Sequence, residues 1–287
     1  MFTSDQGSFL RQAGKNIFGI LVCVLLFLSG FFIHGNTGLY MNMSGFLIVV
    51  GGTLGATFLS YNMNRIEILF KVLKTSYGRS IISPGKVVRT LVDLSVKKRK
   101  NGLLALQNDE EETGIEFLRQ ALGLLVDGCT KEQIKESLTA EMYFFRVRRD
   151  ETRRVLQTMA DVAPSFGLVG SVVGLIGMLA GQGSSEVILA TVPIALTSTL
   201  YGIIFANFLF LPFASSIRER TVQELFLQKI ITEGVLAMSE DLHPRMMERK
   251  LVSFLTPSDR QGRYLTYGTY ETMRRRLTLT DEAGESA

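Results

Sequence analysis

Apolar residues are concentrated in four long blocks of the chain that contain no Asp, Glu, Lys or Arg. The blocks are residues 16–33, 41–61, 162–180 and 187–213. Each block is about long enough to cross the ~30 Å hydrocarbon core of a bilayer as a helix. The pattern therefore predicts an all-α integral membrane protein with four transmembrane helices.

The polar connections between these blocks differ in their content of basic residues. Segments 34–40 and 181–186 contain no Lys or Arg, whereas segment 63–161 and the chain after Ala214 are rich in both. Basic residues favour the cytoplasmic side of a membrane. We therefore expect two transmembrane hairpins, a helical cytoplasmic domain inserted between spans 2 and 3, and both termini in the cytoplasm. The formal net charge of +4 follows from this bias and does not indicate nucleic acid as a partner.

Helical periodicity continues through the predicted cytoplasmic segments. Ser83 followed by Pro84 is typical of a helix start, and the residues from Thr130 to Gln133 resemble a capping box. The chain is predicted to divide into an N-terminal tail 1–15, a first hairpin 16–61, a cytoplasmic helical domain 62–160, a second hairpin 161–214, cytoplasmic C-terminal helices 215–257 and a flexible tail 258–287.

The third apolar block carries glycines at a helical spacing. Gly167, Gly170, Gly174 and Gly177 recur at intervals of three and four residues, so they lie along one face of a helix. In membranes, small residues at this spacing let helices approach closely. We expect close helix packing on this face, and a further hypothesis is that part of it faces a helix of another chain.

Hydroxyl groups in the last two blocks are the candidates for polar chemistry within the membrane. Ser171 lies beside the glycine face, and Ser198 and Thr199 lie in the fourth block. Such hydroxyls often bond only a backbone carbonyl one turn back; alternatively, these three residues line a narrow ion path in the second hairpin. Because no block contains a carboxylate, a partner would have to supply the group that binds and releases the ion.

The sequence does not predict an enzyme. It lacks a nucleophile with a neighbouring base, a phosphate-binding glycine loop and a cluster of metal-binding residues. We therefore expect no catalytic residues, no metal site and no cofactor, other than a transported H+ or Na+.

A family resemblance rests on segments 161–179 (DVAPSFGLVGSVVGLIGML), 195–214 (ALTSTLYGIIFANFLFLPFA), 124–128 (LLVDG) and 98–108 (KRKNGLLALQN). Together with the layout of the apolar blocks, they resemble the MotA/PomA family of flagellar stator A-subunits over nearly the whole chain. The resemblance implies a multi-pass protein of the bacterial inner membrane, in contact with lipid, whose homopentamer surrounds a dimer of a MotB/PomB-like B-subunit. The B-subunit would supply the ion-binding aspartate, and ion passage would drive a FliG-like rotor protein.

On this resemblance, residues of the second hairpin have expected roles. Pro164 and Pro212 match two functional prolines of the family, and the resemblance implies that they couple ion occupancy to conformational change. Thr199 matches a channel threonine. Ser171 stands where sodium-type members have threonine, and Ser198 keeps a hydroxyl beside Thr199. Hydroxyls at 171 and 198 favour Na+, although hydrated proton paths also use such groups.

The resemblance also implies a rotor interface in the cytoplasmic domain. Arg99 and Lys100 match cationic residues that contact the rotor. The acidic half departs from the family pattern, because Gln107 occupies the position of the principal glutamate. Asp109 and Glu110 are the nearest acidic substitutes. Alternatively, both charged runs are solvated surface.

Two other classes of protein share part of the pattern. An energy-coupling subunit of the ExbB/TolQ type shares the last two spans but normally has three spans, so the four blocks and the KRKNG segment favour the stator subunit. The third possibility is a structural membrane scaffold or a self-contained channel. A channel of that kind would conduct ions without a partner.

Overall fold

The computed structural model describes residues 22, 25–27, 29–30, 40–78, 82–107, 114–180 and 185–256. These residues are mostly helical, and no strand occurs among them. The predicted tails 1–15 and 258–287 lie outside the described residues. Most of the first predicted span, 16–33, does so too, although the residues described within it are helical.

From residue 43 onward, the described part of the chain is a succession of helices. A 3-10 turn covers Leu104–Leu106, and a π-helical segment at Phe205–Phe210 joins the sixth of these helices to the seventh. In chain order the helices are α1 (Met43–Ser60), α2 (Met63–Gly78), α3 (Pro84–Asn101), α4 (Glu116–Val126), α5 (Lys131–Ala180), α6 (Ser185–Ile204), α7 (Leu211–Ser239) and α8 (Pro244–Val252).

Local sequence signals account for two of the helix starts. The Ser83 side chain accepts a hydrogen bond from the N–H of Lys86, and Pro84 occupies the first helical position. At the start of α5, the N–H of Thr130 donates to Gln133 Oε1 at 2.8 Å, and the N–H of Gln133 donates back to Thr130 Oγ1 at 3.3 Å. The predicted N-cap and capping box are therefore confirmed.

Helices Met43–Ser60, Lys131–Ala180 and the stretch Thr191–Ser239 are long and apolar enough to cross a membrane. They cover most or all of the second, third and fourth predicted spans. The helix that begins beside Thr130 and the third predicted span form one helix of 50 residues. The hydrophobic pattern did not predict that these two parts form one helix, because the charged run 146–154 separates them.

The chain forms two compact units. Unit 1 comprises Met1–Leu73 and Thr152–Ser216, and unit 2 comprises Lys74–Glu151 and Ile217–Ala287. The boundaries fall within α2, α5 and α7, so these three helices contribute to both units. The division into spans and cytoplasmic segments described above stays a prediction.

Unit 1 packs through small and hydroxyl-bearing residues. The buried face of α1 consists of Gly45, Val49, Thr53 and Thr57. Thr53 Oγ1 donates to the carbonyl of Val49 at 2.6 Å, and Thr57 Oγ1 donates to the carbonyl of Thr53 at 2.7 Å, so neither hydroxyl is left without a partner. Large apolar side chains are exposed on the outer faces of α5: Leu168, Val169, Val172, Val173, Leu175, Ile176 and Leu179. Small residues inside and large apolar side chains outside are the reverse of a water-soluble fold, and this distribution suits a lipid environment.

Unit 2 has a conventional apolar core. Leu91 of α3 packs so close to α7 that a Cβ added to Gly234 would lie 2.8 Å from Leu91 Cδ1. An ion pair between Arg149 and Glu224, with 3.0 Å between the nearest nitrogen and oxygen, joins α5 to α7 within this unit. Other fully buried members of the core are Leu106, Leu118, Leu122, Ile134, Leu138, Ile230 and Met247.

Candidate functional site

Two hydroxyl groups meet between α5 and α6. Ser171 Oγ and Thr199 Oγ1 are hydrogen-bonded to each other, and either hydroxyl can donate. Ser171 Oγ also bonds the carbonyl of Ala195 and, at 3.2 Å, the carbonyl of Gly167. Thr199 Oγ1 donates to the same Gly167 carbonyl at 3.4 Å. Both side chains are partly exposed, so the chain presents a small cluster of oxygen atoms, the ligand type that hard cations use.

The glycine face brings the two helices together. A Cβ added at Gly167 would lie 3.0 Å from the carbonyl oxygen of Ser198, and one added at Gly174 would lie 2.8 Å from the backbone nitrogen of Ala195. Real Cβ atoms essentially never approach a backbone atom as closely as at Gly174, so that position requires glycine, and at Gly167 the contact would be tighter than most real Cβ contacts. The absence of side chains here is what allows Ser171 to reach the backbone and hydroxyl of α6.

The other two predicted packing glycines also face α6. A Cβ at Gly170 would lie 2.6 Å from Ser198 Cβ, and one at Gly177 would lie 3.4 Å from Thr191 Cγ2. The face is therefore occupied by a helix of the same chain. The hypothesis that part of it also faces another chain's helix stays a prediction.

Ser198 lies apart from the exposed hydroxyl pair. Its side chain is fully buried, and its Oγ donates to the carbonyl of Ala195 at 3.2 Å. It packs between Gly170 of α5 and Gly45 of α1, where an added Cβ would lie 3.3 Å from Ser198 Cβ. Helices of its own chain thus enclose the Ser198 side chain, and its place in the ion path stays a prediction.

The two predicted coupling prolines occupy different local structures. Pro164 lies inside α5, half-buried, and Gly202 of α6 packs against it so closely that an added Cβ would lie 2.6 Å from the carbonyl oxygen of Ala163. Pro212 is exposed at the second position of α7, directly after the π-helical segment. There, the N–H of Leu211 donates to the carbonyl of Ala206, five residues earlier. π-Helical turns frequently mark functional sites.

Sequence reasoning missed a tyrosine that ties α6 to the start of α1. The Tyr201 hydroxyl accepts a hydrogen bond from the N–H of Asn42 at 2.9 Å and donates to the carbonyl of Tyr40. Asn42 is itself the N-cap of α1. A tyrosine inside an apolar block was the available signal, because a buried phenol usually has a polar partner.

The basic residues at the end of α3 divide into two groups. Arg99 and Lys100, at the end of α3, are exposed. The neighbouring Lys98 turns inward, where its Nζ contacts the Met238 carbonyl at the end of α7 and lies 2.6 Å from Asp241 Oδ1. The hydrogen bond from Lys98 lowers the pKa of Asp241 below its ordinary value.

Gln107, which was expected to replace the principal glutamate of the family pattern, is exposed after the 3-10 turn. Asp109 and Glu110 lie outside the described residues.

Comparison with known proteins gives a consistent assignment. The sequence profile of the MotA/TolQ/ExbB proton channel family matches residues 109–229. The uncharacterized protein YtxD of Bacillus subtilis is 32% identical over 83% of this chain and 87% of its own length. Motility protein A of Borreliella burgdorferi is 31% identical over 78% of this chain and 86% of its own length.

The fold agrees with this assignment. The structure of C. jejuni MotAB matches with a TM-score of 0.79 and 28% identity, covering 86% of this chain and 97% of the matched chain. These matches favour the stator subunit over the energy-coupling alternative. Because relatives more than 30% identical cover most of its length, this chain belongs to the motility protein A family, the stator A-subunits of the bacterial flagellar motor.

Proposed function

We propose that this chain assembles as a homopentamer around a dimer of a MotB/PomB-like B-subunit in the bacterial inner membrane, and that ion flow through the complex turns a FliG-like rotor protein. The observation that carries this proposal is the hydroxyl pair of Ser171 and Thr199 in a membrane portion without carboxylates. Such a site supplies oxygen ligands and no titrating group. The matched C. jejuni structure is a MotAB complex, which supports a second protein as the source of that group.

The proposed topology is four spans in two hairpins, with both termini and segment 62–160 in the cytoplasm. The basic content of the long insert and of the chain after residue 214 supports this orientation. The apolar outer faces of α1 and α5 support contact with lipid or with a neighbouring subunit.

In the proposed ion path, Ser171 and Thr199 stabilise the ion as it reaches or leaves the aspartate of the B-subunit. Their hydroxyls and the Gly167 carbonyl would replace part of the ion's hydration shell. A carboxylate at the bilayer centre is costly by about 2.5–3.5 kcal/mol, which raises its pKa and makes its occupancy by H+ or Na+ switchable. The hydroxyl at 171 favours Na+.

Pro164 and Pro212 are the proposed coupling residues between ion occupancy and helix movement. Each removes a backbone N–H from a long helix, and Pro212 follows directly after the π-helical segment. A helix that lacks regular hydrogen bonds at such points bends there more readily.

The proposed rotor surface consists of Arg99 and Lys100, with Asp109 and Glu110 as the acidic part. One elementary charge crossing 100 mV provides ~2.3 kcal/mol, whereas an exposed ion pair contributes ~0–1 kcal/mol. Each ion could therefore break one such contact and allow the next to form.

The ion path is tested by replacing Thr199 with valine, which keeps the shape and removes the hydroxyl. In vesicles containing this chain with its B-subunit, we expect Thr199→Val to lower cation flux by about tenfold, the effect of losing roughly 1.4 kcal/mol of interaction. The matched control is Thr53→Val, because Thr53 bonds only within α1 in the described contacts. Equal flux in the two variants would contradict the assignment of Thr199 to the path.

A further inference from the structure

An exposed leucine lies in the surface proposed to contact the rotor. Leu104 is 74% exposed, in the 3-10 turn that follows α3. Arg99 and Lys100 lie shortly before Leu104 in the chain, and Gln107 lies shortly after it. All three residues are exposed. Single exposed leucines are common on protein surfaces, so the meaning of this one depends on how it is held and on what surrounds it.

The backbone on both sides of Leu104 is fixed. Gly102 ends α3 with φ of 83°, a conformation that favours glycine, and its N–H donates to the Lys98 carbonyl at 2.9 Å. On the other side, Leu106 is fully buried in the core of unit 2. The turn therefore holds Leu104 outward between two anchored points.

Lys98 anchors the end of α3 as well. Its Nζ contacts the carbonyl of Met238 and the carboxylate of Asp241, at the end of α7. A cation at the C-terminus of a helix is favourably placed for the last carbonyl groups. Of the basic residues at the end of α3, Lys98 thus has a structural role, and Arg99 and Lys100 are presented to the solvent beside Leu104.

Charged residues alone make a weak contact at such a surface. Exposed ion pairs contribute little, because water and salt screen them. Burial of a largely exposed leucine removes apolar surface from water and does not weaken with salt in the same way. Protein interfaces commonly combine an apolar centre with a polar rim.

We propose that Leu104 is the apolar centre of the rotor-contacting surface, and that the rotor protein offers an apolar pocket bordered by carboxylates. Charge complementarity with Arg99 and Lys100 specifies the acidic border. This inference rests on the proposed function and refines it, because it replaces a purely electrostatic contact by one that keeps part of its strength at high salt.

The test measures binding of the detergent-solubilised complex of this chain with its B-subunit to the purified rotor switch protein of the same organism, at low and high salt. Leu104→Ser should bind about tenfold more weakly at both salt concentrations, and Leu104→Met should bind like the unaltered chain. Arg99→Asp should weaken binding mainly at low salt. Met246→Ser is the matched control, because Met246 is 54% exposed on α8 of the same unit, and it should leave binding unchanged.

Three results would overturn the proposal. Normal binding by Leu104→Ser together with weak binding by Arg99→Asp would remove the apolar centre and leave the rotor assignment intact. Normal binding by both variants would remove the rotor assignment itself. A changed subunit number in the Leu104→Ser complex, measured by native mass spectrometry, would place Leu104 in a contact between copies of this chain.

Discussion

Gly174 lies where α5 meets the backbone of α6. Alanine at this position would place its Cβ 2.8 Å from the backbone nitrogen of Ala195 and 2.9 Å from its Cβ. Because a backbone atom cannot turn aside as a side chain can, the helices must separate. We expect Gly174→Ala to destabilise unit 1 by about 1–3 kcal/mol, measured as loss of helicity on heating of the detergent-solubilised chain.

The control for this prediction is Gly55→Ala in α1. The corresponding position at Gly55 has nothing within 4 Å, and alanine is a better helix former than glycine by about 1 kcal/mol. This variant should therefore be as stable as the unaltered chain or slightly more stable. If both variants melted alike, the glycine face would not be required for packing.

For individual residues, the sequence predicted the packing face of α5 but did not predict which hydroxyl groups are enclosed. The spacing of the glycines predicted a packing face, and the structure places that face against α6. Ser198 and Thr199 were both expected in the ion path, but successive residues of a helix point about 100° apart. Only the partner helices decide which one is enclosed, and their positions do not follow from one sequence.

Elements differ in how far local signals specify them. The starts of α3 and α5 follow from the side chains of Ser83, Thr130 and Gln133, which bond backbone groups within the same turn. The π-helical segment Phe205–Phe210 was not predicted, because an apolar block has no change of composition where the hydrogen-bonding pattern changes. The sequence feature next to this segment is Pro212, which lacks the backbone N–H that a regular helix would use.

The attachment of α8 to α7 should depend on pH. Lys250 of α8 bonds Glu233 of α7 with 2.7 Å between nitrogen and oxygen. This hydrogen bond, followed by that from Lys229, lowers the pKa of Glu233 below its ordinary value of 4.5. A lowered pKa stabilises the folded state above the ordinary value, and this contribution is lost as the pH falls through the lowered one. We therefore expect the stability of unit 2 to decrease below pH 4.5.

The measurement for this prediction is the denaturation midpoint of the solubilised chain as a function of pH. Glu233→Gln should be less stable than the unaltered chain at neutral pH, and the difference should shrink in acid, because the glutamine does not titrate. Glu132→Gln is a suitable control, since Glu132 is exposed at the start of α5. A constant difference between Glu233→Gln and the unaltered chain at all pH values would contradict the ion-pair explanation.

At the scale of the whole molecule, the two units obey opposite rules of residue placement. Unit 1 buries glycines and hydroxyl groups and exposes large apolar side chains, whereas unit 2 buries leucine, isoleucine and methionine. The four apolar blocks and their flanking charges predicted this contrast, because the solvent of each region determines which side chains are exposed. Assembly with other chains determines what covers the apolar outer faces, and one sequence does not specify it.

The predicted orientation gives a test of this arrangement through the cysteines. We expect Cys129 to lie in the cytoplasm and Ser185, at the start of α6, to lie outside. In a Cys23→Ser background, a membrane-impermeant maleimide should leave Cys129 unlabelled in intact cells whose outer membrane has been permeabilised. It should label a Ser185→Cys, Cys129→Ser variant under the same conditions. Because Cys129 is half-buried and partly accessible, it should become labelled once the inner membrane is opened. Labelling of Cys129 in intact cells would mean that the topology is the reverse of the predicted one. The proposed rotor surface would then not lie in the cytoplasm, and that proposal would be wrong.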